Sequence, residues 1–173
     1  VGEKTEEPRD LLLSDKSTQL EEIERYIEGS VRWAKAQLGS RDWPYRCLAF
    51  VEDAYEKGND IQIFGESCAK DSAELYGVVK RDEFPPAGVF VFYDMCGPLK
   101  DVYKNWGHVG LSLGSGDVIH SWGPVRIDNY LDIENLKPGS PDWTQPEYIG
   151  WTPVDRILEG HRKRKAESGP HSQ

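Results

Sequence analysis

Apolar residues at Leu20, Ile23, Ile27, Val31, Ala34 and Leu38 recur at steps of three and four, the spacing of one helix face. Thr18 and Glu21 have the spacing of a capping box, and Gly39 follows the last apolar member. The pattern predicts a long amphipathic helix between them. A short loop with Trp43 and Pro44 leads to Cys47, and Cys47 to Tyr55 predicts a second helix ending at Gly58. Ser67 is placed to cap a third, from about Cys68 to Tyr76, which Gly77 would end. The period then changes. Gly88-Val89-Phe90-Val91-Phe92-Tyr93 is a continuous β-branched and aromatic run, as expected of a strand buried on both faces. His108 to Leu113 and Asp117 to Trp122 flank Gly114-Ser115-Gly116 and predict a hairpin, with shorter strands at Val125 to Ile127 and Tyr148 to Thr152. Helices first and strands later indicate an α+β fold, N-terminal helices packed on an antiparallel sheet. The expected organisation is a flexible lead-in over 1–17, one domain over 18–158 and a basic, disordered tail over 159–173.

Composition narrows the classes. A chain of 173 residues fits one domain able to bury a core of its own. No apolar run approaches the length of a membrane span. The N-terminus is polar and without a signal peptide's apolar stretch. A net charge of −9 argues against nucleic acid, since phosphate contact needs excess Lys and Arg. The local exception, Arg162-Lys163-Arg164-Lys165, reads as a solvated tail. Cys47, Cys68 and Cys96 make an odd count, and the last two read as ordinary buried thiols rather than a pair. A monomer without cofactor is expected.

Chemistry concentrates at Cys47, His108 and His120. A cysteine opening a helix meets free backbone N–H groups and a partial positive charge, both of which favour thiolate. The hairpin decides whether the histidines cooperate. A two-residue turn places His120 opposite Leu111, with the histidines on opposite faces. A three-residue loop places His120 opposite Gly110, with both on one face roughly 7 Å apart. The three-residue loop is expected. His120 can then hold one nitrogen of His108 and leave the other to face Cys47. A Cys/His/His zinc site is the rival, but no spacing supplies a fourth ligand. Trp43, Trp106 and Trp122 flank the three positions and are candidate walls of a substrate cleft.

The succession Cys47-Leu48-Ala49-Phe50-Val51, Gly88-Val89-Phe90-Val91-Phe92, Gly107-His108-Val109-Gly110-Leu111-Ser112-Leu113-Gly114 and Val118-Ile119-His120 resembles the NlpC/P60 cysteine peptidases, papain-like cell-wall hydrolases related to the CHAP amidases. The resemblance spans about residues 20–155. It implies a thiol-dependent amide hydrolase acting on peptidoglycan stem peptides in a secreted or cell-wall setting, with Cys47 as nucleophile, His108 as base and His120 orienting it. Tyr45 matches the family's tyrosine beside the oxyanion. The family's usual Asp and Ser around the nucleophile are replaced by Arg46 and Leu48, and Arg46 suits an anionic group on the substrate. Two alternatives stand beside this reading. One is an amidase or acyltransferase on another amide or ester; the other is an inactive domain that binds cell-wall glycopeptide.

Overall fold

The computed structural model describes residues 8–79 and 84–164. Helix α1 runs from Pro8 to Ala36, α2 from Cys47 to Asn59 and α3 from Ala69 to Tyr76, with strand β1 (Ile61–Gln62) between the last two. Seven strands follow: β2 (Phe90–Asp94), β3 (Cys96–Leu99), β4 (Val102–Asn105), β5 (His108–Gly114), β6 (Asp117–Ser121), β7 (Val125–Asn129) and β8 (Glu147–Thr152). A one-turn helix α4 (Val154–Ile157) and strand β9 (Arg162–Lys163) complete the order. The main sheet has the order β7-β6-β5-β2-β8, and its pairings are antiparallel. The fold is therefore α+β. Its core is aromatic: Phe50 and Tyr55 from α2 join Phe90, Phe92 and Tyr93 from β2, the strand between β5 and β8. Helix α2 packs on β5 and β6, and α1 lies across α2.

Several expectations need correction. The first helix begins at Pro8, so Thr18 lies inside it rather than at its N-terminus. Proline tolerates the first helical position, where its missing N–H has no intrahelical partner to lose. Of the expected lead-in, residues 8–17 are therefore helical and 1–7 lie outside the described residues. Gly58 does not end α2. The helix continues to Asn59, and Asp60 stops it at φ 51°. Gly58 serves the crossing with α1 instead: a Cβ there would meet the Gly29 carbonyl oxygen at 2.5 Å. Helix α3 begins one residue late, with Cys68 rather than Ser67 at its N-cap. The expected tail is partly docked, since Arg162 and Lys163 pair with Gln62 and Ile61. Residues 165–173 lie outside the described residues.

The hairpin reaches the expected register by another route. Its turn is only Ser115-Gly116, because Gly114 pairs with Asp117. A bulge at Leu113 adds the extra residue, and Leu111 then pairs with Ile119. Gly110 therefore lies opposite His120, and a Cβ on Gly110 would come within 3.0 Å of the His120 Cβ. The hairpin β3–β4 was not expected from the sequence. Gly97 and Pro98 mask the strand pattern, and its turn uses Lys100 and Asp101, both at positive φ. Among the described residues, no helix is long and apolar enough to cross a membrane.

Candidate active site

Cys47 is the first residue of α2, and Arg46 holds the N-cap position without a side-chain cap. The loop before it is fixed from two sides. Trp43 Nε1 donates to Asp53 Oδ2 at 3.1 Å, and Ser121 Oγ donates to the Trp43 carbonyl at 3.0 Å. The second bond ties the loop before Cys47 to the residue after His120. Trp43 is buried and packs edge-on against Trp33 and Phe50. It is a core residue, and its expected role on a cleft wall is corrected accordingly.

His108 and His120 share a face. His108 Nε2 lies 2.8 Å from His120 Nδ1, and both residues are buried. His120 continues the chain of contacts, its Nε2 lying 2.8 Å from Asp128 Oδ2. Asp128 is held in turn by Arg126, whose Nε donates to Oδ2 at 2.7 Å and Nη2 to Oδ1 at 2.9 Å. Trp122 stands edge-on to His108, with centroids 5.2 Å apart. With Nε2 of His108 engaged, only its Nδ1 remains for the thiol. The backbone of Val109, the residue after His108, is among the groups that stabilise the Cys47 thiolate. Cys47 thus sits beside β5, the strand that carries His108.

Electrostatics contradict one expectation. The open end of α2 does act on Cys47, because its own backbone and that of Leu48 favour the thiolate. Burial outweighs them and pushes the thiol up to about 11. Cys47 keeps some surface open to solvent, yet its sulfur is closely surrounded by protein. The resting form is therefore thiol. Burial, and then the neighbouring His120, push His108 well below the usual histidine range. Burial also lowers His120, against the opposing pull of Asp128. The Asp128 carboxyl is held down to about 2, first by its hydrogen bond from His120 and further by Arg126. At neutral pH the site holds a neutral thiol, two neutral imidazoles and one carboxylate.

The other expected residues lie around this line. Tyr45 is 74% exposed at φ 54°, and its ring stacks on Trp143 at 6.2 Å. Arg46 is exposed beside Cys47. Trp106 is half-buried, its Nε1 donating to the Gly97 carbonyl and Lys104 lying 4.2 Å over its ring. Cys47, Cys68 and Cys96 are all free thiols. Among the described residues, no group of three His, Cys, Asp or Glu could hold a metal ion.

Three residues escaped the sequence reading. Arg126 and Asp128 alternate along the strand after His120, and alternate residues share a face. That was the available signal, but it needed the β6–β7 register, in which His120 pairs with Arg126. Trp143 lies in an irregular segment and gives no pattern to read. No family model matches the sequence, and comparison with curated proteins finds no match.

Proposed function

We propose that this chain is a thiol-dependent amide hydrolase with a papain-like NlpC/P60 fold, cleaving peptidoglycan stem peptides. The observation that carries the reading is the 2.8 Å His108–His120 contact, which leaves His108 Nδ1 as the nitrogen available to the thiol, on a strand packed against the helix that begins at Cys47. A buried imidazole pair on one sheet face, adjoining a helix-start cysteine, supplies the nucleophile, base and orienting group used in thiol acyl transfer.

The resting charges dictate the first step. With Cys47 raised to about 11 and His108 neutral, no preformed thiolate–imidazolium pair is available. His108 Nδ1 takes the thiol proton as the sulfur attacks the substrate carbonyl carbon, and the carbonyl electron pair moves onto oxygen. The backbone N–H of Cys47 faces that oxyanion. Collapse expels the amine, which leaves with the proton from Nδ1, and a thioester remains on Cys47. Water then attacks the thioester while His108 takes its proton. Collapse releases the acid and returns the proton to sulfur. A peptidoglycan substrate places this work at the cell wall.

A second reading keeps the chemistry and changes the substrate. Exposed Arg46 and buried Leu48 stand where the family carries Asp and Ser. A guanidinium beside the nucleophile favours an acyl group with its own carboxylate or phosphate. Mass spectrometry of a muropeptide mixture incubated with the protein, alongside small anionic amides and esters, separates the two. New muropeptide fragments are expected. Turnover of the small substrates alone would move the assignment to the second reading.

A further inference from the structure

Two hydrogen-bonded neutral histidines can hold their protons in two ways. In one, both carry hydrogen on Nε2, and His108 presents an Nδ1 lone pair. In the other, both carry it on Nδ1, and His108 presents an N–H that cannot accept the thiol proton. Nothing within the pair chooses between them, because the Nε2–Nδ1 contact is satisfied either way. The choice must come from whatever meets the far nitrogen of His120.

That nitrogen, Nε2, meets Asp128 Oδ2 at 2.8 Å. An ionised carboxylate only accepts. His120 must then donate from Nε2, its Nδ1 must accept, and His108 must donate from its own Nε2. We infer that Asp128, braced by Arg126, is a positioning residue that fixes the tautomer of both histidines and so makes His108 Nδ1 the base. Among the described residues, the rings packed against the pair do not make the choice. The Tyr93 ring packs 6.0 Å from His108, but its hydroxyl donates to the Tyr130 carbonyl at 2.6 Å. Trp122 meets His108 edge-on. Cys47 opens α2, which packs on β5 and β6. From β7, Arg126 binds both oxygens of Asp128 and so aims the carboxylate. The register supports this: His120 pairs with Arg126, and Asp128 is two residues along on the same face.

The tautomer stands independently of catalysis, while its consequence for rate rests on the hydrolase reading. The test is long-range proton–nitrogen NMR on the full chain with ¹⁵N-labelled histidine at pH 7.5. Both buried rings are expected in the Nε2–H form. In Asp128→Asn, Arg126 keeps the amide oxygen and the amide N–H turns to His120. Both rings should switch to Nδ1–H, and Cys47-dependent hydrolysis should fall on the order of 10⁴-fold, as when an orienting carboxylate becomes an amide in a serine-protease triad. Rings that stay Nε2–H in this variant overturn the inference. Should the variant fail to fold, the wild-type spectrum decides, because Nδ1–H on either ring overturns it equally. Arg126→Gln removes a guanidinium that is 42% exposed, so folding should survive. Its rings should keep the neutral Nε2–H form at pH 7.5 but pass to imidazolium at a higher pH than wild type on acid titration, because Arg126 no longer opposes a proton on His120. Coincident titrations would remove Arg126 from the assignment. Correct wild-type tautomers without hydrolysis would sink the hydrolase reading and leave the tautomer assignment standing.

Discussion

At Cys47, helix-end N–H groups and burial act in opposite directions, and burial wins. The sequence displays the helix start but not how closely the sulfur is covered, because cover comes from β5, some sixty residues later. In the proposed mechanism reactivity therefore depends on His108, which is linked through His120 to Asp128. A similar conflict sits elsewhere on α2. Glu52 is largely buried near Glu56 and Asp53, and burial first, then those charges, push its carboxyl up to about 7. Its folded pKa exceeds the unfolded value of about 4.5, so folding is penalised above pH 7 and the penalty fades as pH falls toward 4.5. Glu52→Gln should therefore stabilise the protein by about 1 to 3 kcal/mol at pH 8 and little at pH 5. Urea unfolding at the two pH values checks this; an equal effect at both would deny the shift.

Elements were legible where one period ran unbroken. The apolar stripe of α1 from Ile23 to Ala34, the run of β2 and the β5–β6 hairpin lie where the pattern places them, whereas Leu20 is exposed and Leu38 falls beyond the helix end at Ala36. Boundaries were less so, because glycine has more than one use. Gly77 ends α3 as expected, at φ 80°, whereas Gly58 lies within α2. Its purpose emerges only when α1 crosses, since a Cβ there would strike Gly29 backbone at 2.5 Å. Gly58→Ala should thus cost about 1 to 3 kcal/mol despite alanine's better helix propensity. Gly139→Ala, with nothing within 4 Å of its Cβ, should be nearly neutral. Thermal melts of the two variants test the contrast; a stabilised Gly58→Ala would mean that the crossing relaxes freely. The same reasoning explains the candidate site. Cys47, His108 and His120 are visible as residue types in a chain order. Asp128 needed the β6–β7 register, and Trp43 needed its burial, neither of which a linear pattern contains.

Over the whole molecule, the buried histidines tie stability to the ionisation of the site. His108 and His120 have folded pKa values below the unfolded value of 6.5. The unfolded chain therefore binds more protons as pH falls through 6.5, and stability drops there. Glu52 opposes this with one proton against two. The melting temperature should fall between pH 7 and pH 5, and fall more steeply in Glu52→Gln. A flat wild-type profile would mean that the histidines titrate normally. Helix start, paired histidines and carboxylate come from α2, β5, β6 and β7, so α2 and the β7-β6-β5 side of the sheet must be assembled before these groups come together. The measurement that bears most directly on this account compares wild type with Cys47→Ala on one muropeptide mixture, both variants verified as folded by circular dichroism. The account predicts new fragments with the wild type and none above background with Cys47→Ala. Equal cleavage by both proteins would contradict it.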